Sequence, residues 1–114
     1  MTSKDRSIVE HILKWCSYVC EDVELLENSF EQFESNRQFR SSIGMNILQI
    51  GELVHKLSDE FKENTKQYVP WNLIYGMRCH FAHGYEKMNN EAIWDVAVND
   101  VPALKRFCEE QLSA

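Results

Sequence analysis

The chain has 114 residues, 44% of them hydrophobic, with 18 acidic against 12 basic residues and a net charge of -6. That is the size of one ordinary domain spanning 1–114, too short for separate catalytic and substrate domains. The acidic balance excludes broad electrostatic binding to nucleic acid, because sequence-independent affinity comes from lysines and arginines that neutralise phosphates. Any contact with RNA would have to be made by a local patch.

No apolar run approaches the ~20 residues needed to cross a bilayer. The opening "MTSKDRSIVEHILKW" lacks an apolar region followed by a small-residue cleavage site. The expectation is a cytoplasmic protein with no membrane contact. Cys16, Cys20, Cys79 and Cys108 form no regular framework, so reduced thiols are expected.

Only two prolines and four glycines occur, and no run of alternating polarity suggests a strand, so helix is favoured nearly throughout. Ile8, Ile12, Trp15, Cys16, Val19, Val23 and Leu26 follow the three-and-four spacing of one helical face, which predicts a first helix from Lys4 to Leu26. In "NSFEQFES", Ser29 with Gln32 and Ser35 with Gln38 resemble capping boxes, predicting a short helical turn between two longer helices. From Arg37 the stripe Phe39, Ile43, Ile47, Ile50, Val54, Leu57 and Phe61 predicts one long helix that closes in "ENTKQYVPW". Gly44 and Gly51 lie seven apart on its flank, where missing side chains would admit a close-packed partner helix.

Pro70 suits the first turn of a helix over about Pro70 to Ala82, since its missing N–H has no intrahelical partner there. Gly84 is placed to stop that helix in a left-handed conformation, and Gly76 and Gly84 would bracket its end. Ile93, Trp94 and Ala97 predict a short helix, and Asp100 ahead of Pro102 predicts the start of a last one bearing Leu104, Phe107, Cys108 and Leu112. Four substantial helices with short ones make an all-α, up-and-down four-helix bundle.

The stretch "GMRCHFAHGY" gathers Arg78, Cys79, His80, His83 and Tyr85 near one helix end. On an undisturbed helix Arg78 and His83 would point about 140° apart. They meet only if the helix unwinds near Gly84 or if two copies face each other. Histidine takes and returns protons near neutrality, and guanidinium holds a phosphate and balances charge developing on it. Together they equip a site for metal-independent RNA cleavage in which the substrate's own 2′-hydroxyl attacks. No cofactor is called for.

"PWNLIYGMRCHFAHGY", with "IGELVHKLSDEF" before it and "IWDVAVNDVPALKRFCEEQL" after it, resembles the HepT-like ribonuclease toxins of the HEPN superfamily. The likeness runs over nearly the whole chain. The family's signature is an arginine, four intervening residues, a histidine, any residue and a tyrosine, which falls on Arg78, His83 and Tyr85. The resemblance implies a HEPN-like helical homodimer with Arg78 and His83 of both protomers lining a cleft, an endoribonuclease acting on RNA. It also implies a type VII toxin–antitoxin partner, a minimal nucleotidyltransferase that transfers AMP to Tyr85. An adenylylated Tyr85 would carry bulk and negative charge two residues from His83 and block an RNA phosphate. The family usually has a polar residue after the arginine, where this chain has Cys79, a weak hydrogen-bonding group. His80 is an extra group beside it.

Other readings of the same residues stand beside this one. Arg78, His80 and His83 would also serve as cations at the negative end of a helix dipole, and Tyr85 as an aromatic packing at a helix exit. Cys79, His80 and His83 could belong to a zinc site, but structural zinc wants four ligands in tight pairs, and no second pair lies near. Cys16 and Cys20 read as small buried residues. Trp15, Trp71 and Trp94 read as core or interface residues, and "EDVELLENSFEQFE" as a solvated face. A non-catalytic helical module that dimerises and accompanies a minimal nucleotidyltransferase is the alternative function.

Overall fold

The computed structural model describes residues 1–76 and 89–113. Among them every regular element is helical. Helix α1 spans Ser3–Leu25 and is capped by Thr2, whose hydroxyl accepts the Asp5 N–H at 3.0 Å. Its inward face carries Ile8, Ile12, Cys16 and Val19 of the predicted stripe together with Val9, which the spacing did not single out, while Trp15 and Val23 are half-buried at the edge. Beyond Leu25 the chain turns through Glu27 and Asn28, both in the left-handed region with φ of 55° and 56°.

Helix α2, Phe30–Ser35, starts at Ser29 as expected, with the Gln32 N–H donated to Ser29 Oγ at 3.2 Å. Ser35 does not start the next helix. Its hydroxyl donates back to the Gln32 carbonyl, and Asn36 caps α3 (Arg37–Lys56) by accepting the Phe39 N–H at 3.1 Å. Asparagine's carboxamide oxygen reaches the third helical N–H as a serine hydroxyl does, so a shift of one residue costs nothing. The acidic residues of the predicted solvated stretch are exposed or half-exposed, while Leu26 and Phe33 within it are buried.

The long third helix expected from the stripe is two helices. Leu57 is extended (ψ 146°), and Ser58 caps a new helix, α4, over Asp59–Thr65. A buried carboxylate fixes the break. Asp5, only 2% exposed, accepts the Ser58 N–H at 2.9 Å and the Ser58 hydroxyl at 2.5 Å. Leu57 and Phe61 are both buried, so the stripe continues across the bend. Periodicity registers which side chains point inward and is blind to a corner that preserves the inward set.

Helices α3 and α7 (Val101–Ser113) both pack along α1. Ser42 donates to Asp22 Oδ2 at 2.7 Å between α3 and α1, and Arg6 donates to the Leu112 carbonyl at 3.3 Å between α1 and α7. The core holds Val9, Ile12, Cys16, Val19, Phe33 and Ile43, all at 0% exposure. Gly44 and Gly51 are buried on α3. Burial drives the Cys16 thiol far above its ordinary range and the Cys108 thiol up to about 12, which leaves both inert at neutral pH.

A helical stretch over 71–76, termed α5, begins where the Pro70 carbonyl accepts the Leu73 and Ile74 N–H groups. Helix α6, Asn90–Asp95, presents Trp94 to Phe33 and Phe30 of α2, with ring centroids 5.1 and 6.5 Å away. Asp100 does not open a separate last helix. The chain stays helical through a wide π turn over Val96–Asp100, where the Val101 N–H reaches the Val96 carbonyl, and runs on as α7. Pro102 has no N–H to give and its ring crowds the carbonyl four residues back. The π turn just before it absorbs that mismatch.

Candidate functional site

The residues singled out for chemistry, Arg78, Cys79, His80, His83 and Tyr85, together with Gly84, lie outside the described residues. What the structure gives is the frame from which that segment leaves and to which it returns. The leaving end is residues 65–76, and the returning end is Asn89, which caps α6 by accepting the Glu91 N–H on its side chain at 2.6 Å.

The leaving end is anchored by one tryptophan. Trp71 is 4% exposed, donates its indole N–H to Thr65 Oγ1 at 2.9 Å, and packs against Phe61 and Phe107 at 6.1 and 5.7 Å between ring centroids. Thr65 Oγ1 in turn donates to the Phe61 carbonyl at 2.7 Å, so both partners of this buried pair are satisfied. Ile74, one turn on from Trp71, is also buried, while Tyr68 and Leu73 are 68% and 71% exposed. This alternation seats one face of α5 on α4 and α7 and turns the other outward.

Two features border this arm. The first is a groove of about 490 Å³ between residues 68–76 and the start of α7, whose lining includes Tyr68, Leu73, Ile74, Gly76, Asp100 and Leu104. Burial, with a smaller push from Asp95, raises the Asp100 carboxyl above its ordinary range. Gly76 is helical, and a Cβ built on it meets nothing within 4 Å. Gly76 is the last described residue of this stretch, so the expected helix end bracketed by Gly76 and Gly84 lies outside the described residues.

The second feature is an aromatic stack. His55, exposed in the last turn of α3, lies on the ring of half-buried Tyr75 with centroids 4.7 Å apart and planes at 22°. Sequence reasoning passed over His55 because it sits on the polar side of the α3 stripe, between Val54 and Leu57. The signal available was its company: His55 and Lys56 are the basic residues of that turn.

Among the described residues no three His, Cys, Asp or Glu side chains gather as a metal site, and no helix is long and apolar enough to cross a membrane. The zinc alternative involves Cys79, His80 and His83, which lie outside the described residues.

Comparison with known proteins bears on the family. Putative RNase MJ0127 of Methanocaldococcus jannaschii is 31% identical over 74 residues, 65% of this chain and 60% of the relative. Putative RNase MJ1380 of the same organism is 26% identical over 80 residues, 70% of this chain and 72% of the relative. The match thus spans about three-fifths of the length of the first relative. No solved structure matches the chain significantly. The family model described as ribonuclease HepT-like matches residues 8–111, nearly the whole chain, and on that match, carried by a fold that is all-helical among the described residues, the chain belongs to the HepT-like ribonuclease family.

Proposed function

We propose that this protein is a metal-independent endoribonuclease of the toxin type, cutting RNA by attack of the substrate's 2′-hydroxyl on the adjacent phosphate. The observation that carries the reading is the family match over residues 8–111, with Arg78, His83 and Tyr85 standing inside it at the family's spacing. In this reading His83 takes the 2′-hydroxyl proton and returns one to the leaving oxygen. Arg78 clamps the phosphate and offsets charge as it builds. His80 assists beside them, with Cys79 in the place of the family's usual polar residue. Two copies of the chain pair so that both contribute Arg78 and His83 to one cleft. A nucleotidyltransferase antitoxin silences the enzyme by transferring AMP to Tyr85, and the cytoplasm is where both work.

The test is purified protein with labelled RNA in the presence of a chelator. Products ending in a 2′,3′-cyclic phosphate, lost in Arg78→Ala and His83→Ala, support the reading. Cleavage that survives both substitutions sinks it. Cys79 favours one second reading, a non-catalytic dimerising module that accompanies the nucleotidyltransferase. Cys79→Asn separates the two, since restored cleavage in that variant alone identifies a worn site.

A further inference from the structure

The fold leaves one feature near the motif without a role, the exposed stack of His55 on Tyr75. Its geometry is that of a platform. The two rings are nearly parallel and close enough to stiffen one another, with centroids 4.7 Å apart, and His55 is exposed to solvent. Within a core such a pair would count as packing, but here the imidazole stands outside the core beside the exposed Lys56.

Its location is bounded by covalent geometry. Three peptide steps separate Tyr75 from Arg78, and three steps reach at most about 11 Å between Cα atoms in any conformation. The platform therefore stands close along the chain to the arginine proposed to clamp the phosphate. The charge also fits. The chain is acidic overall, at -6, so an RNA ligand needs local cations, and the exposed Lys56 stands next to His55 at the end of α3.

We infer that His55, held by Tyr75, is a substrate-binding residue on which an unpaired RNA base stacks, selecting single-stranded over double-stranded RNA. This rests on the ribonuclease reading and adds a binding subsite to it. A duplex keeps its bases stacked on one another and cannot offer a face, whereas a single strand can.

The experiment is equilibrium binding of a fluorescent single-stranded RNA carrying 2′-O-methyl groups, which cannot be cut by 2′-hydroxyl attack. His55→Ala should weaken binding by roughly fivefold to 150-fold, the range expected for losing one base stack. His55→Phe, which keeps the ring, should recover most of it. Replacing one nucleotide at a time with an abasic unit should reveal a single position whose loss costs the wild type but not His55→Ala. Binding by His55→Ala within twofold of wild type, or equal weakening in His55→Phe, overturns the inference while leaving the ribonuclease reading intact. A changed sedimentation coefficient in His55→Ala with unchanged RNA affinity also overturns it, assigning the pair to a protein interface. Wild type that binds neither this RNA nor its duplex overturns both.

Discussion

The α1–α3–α7 core and the arm over residues 65–76 are held by different means. In the core, side chains are wholly buried in number: Val9, Ile12, Val19, Phe33, Ile43 and Cys16 all stand at 0% exposure. Each is held by many neighbours. In the arm, Trp71 and Ile74 are buried while Leu73 and Tyr68 face outward, and one hydrogen bond to Thr65 orients the anchor. The segment proposed to carry chemistry follows directly from the lightly anchored region. Stability and activity should therefore respond to different residues.

The largest expected separation is at the proposed catalytic pair. His83→Ala should lower kcat by ~10²–10⁴-fold, the usual size of a lost acid–base group, with the urea midpoint unchanged. A parallel fall in stability would move His83 into the scaffold. Phe33→Ala is the mirror experiment, expected to cost about 3–5 kcal/mol by urea unfolding, because the ring is fully buried against Trp94 at 5.1 Å.

Asp5 comes next. Burial raises its carboxyl, but the hydrogen bonds from the Ser58 hydroxyl and N–H and from Thr2 outweigh burial and hold it below its ordinary value. A carboxyl depressed in the folded state contributes stability that is complete above its unfolded value, about 3.9, and is lost as pH falls through the folded one. Asp5→Ala should cost about 1–3 kcal/mol at pH 7, since it leaves the Ser58 donors unpaired in a half-buried corner. Asp5→Asn should flatten the stability profile below pH 5, measured by urea titration at successive pH values. An unchanged slope would show that another carboxylate governs acid unfolding.

Smaller effects test how lightly the arm is held. Trp71→Phe keeps an aromatic ring but removes part of the buried indole together with the bond to Thr65, with an expected cost of about 1–3 kcal/mol. If RNA cleavage falls more than that loss of stability explains, the indole N–H also positions the catalytic segment. Glu27→Gly lies in the exposed turn after α1, where φ is 55°. It should add about 0.5–1 kcal/mol to stability by removing a Cβ from the left-handed region, without touching activity.

The inward faces of α1, α3 and α7 and the start of α2 at Ser29 were legible because each depends on residues three or four apart. The break at Ser58 was not, since the carboxylate that fixes it belongs to Asp5, 53 residues away. The continuity of α6 into α7 escaped for a related reason. A proline reads locally as a new start, and only the accumulated packing of α7 on α1 makes a π turn cheaper than a break.

Of the candidate site, the sequence supplied the proposed residues, an arginine, two histidines and a tyrosine in one stretch inside the family match over residues 8–111. It passed over His55, whose partner Tyr75 is twenty residues on. Short-range pattern by itself determined the all-helical class and the buried stripes, and gathered the proposed site residues Arg78, His83 and Tyr85 in one stretch, because helix geometry and sequence spacing are local properties. The corner at Ser58, the anchoring of Trp71 and the stacking of His55 on Tyr75 were decided only by tertiary structure, because each is a contact between residues that the sequence keeps apart.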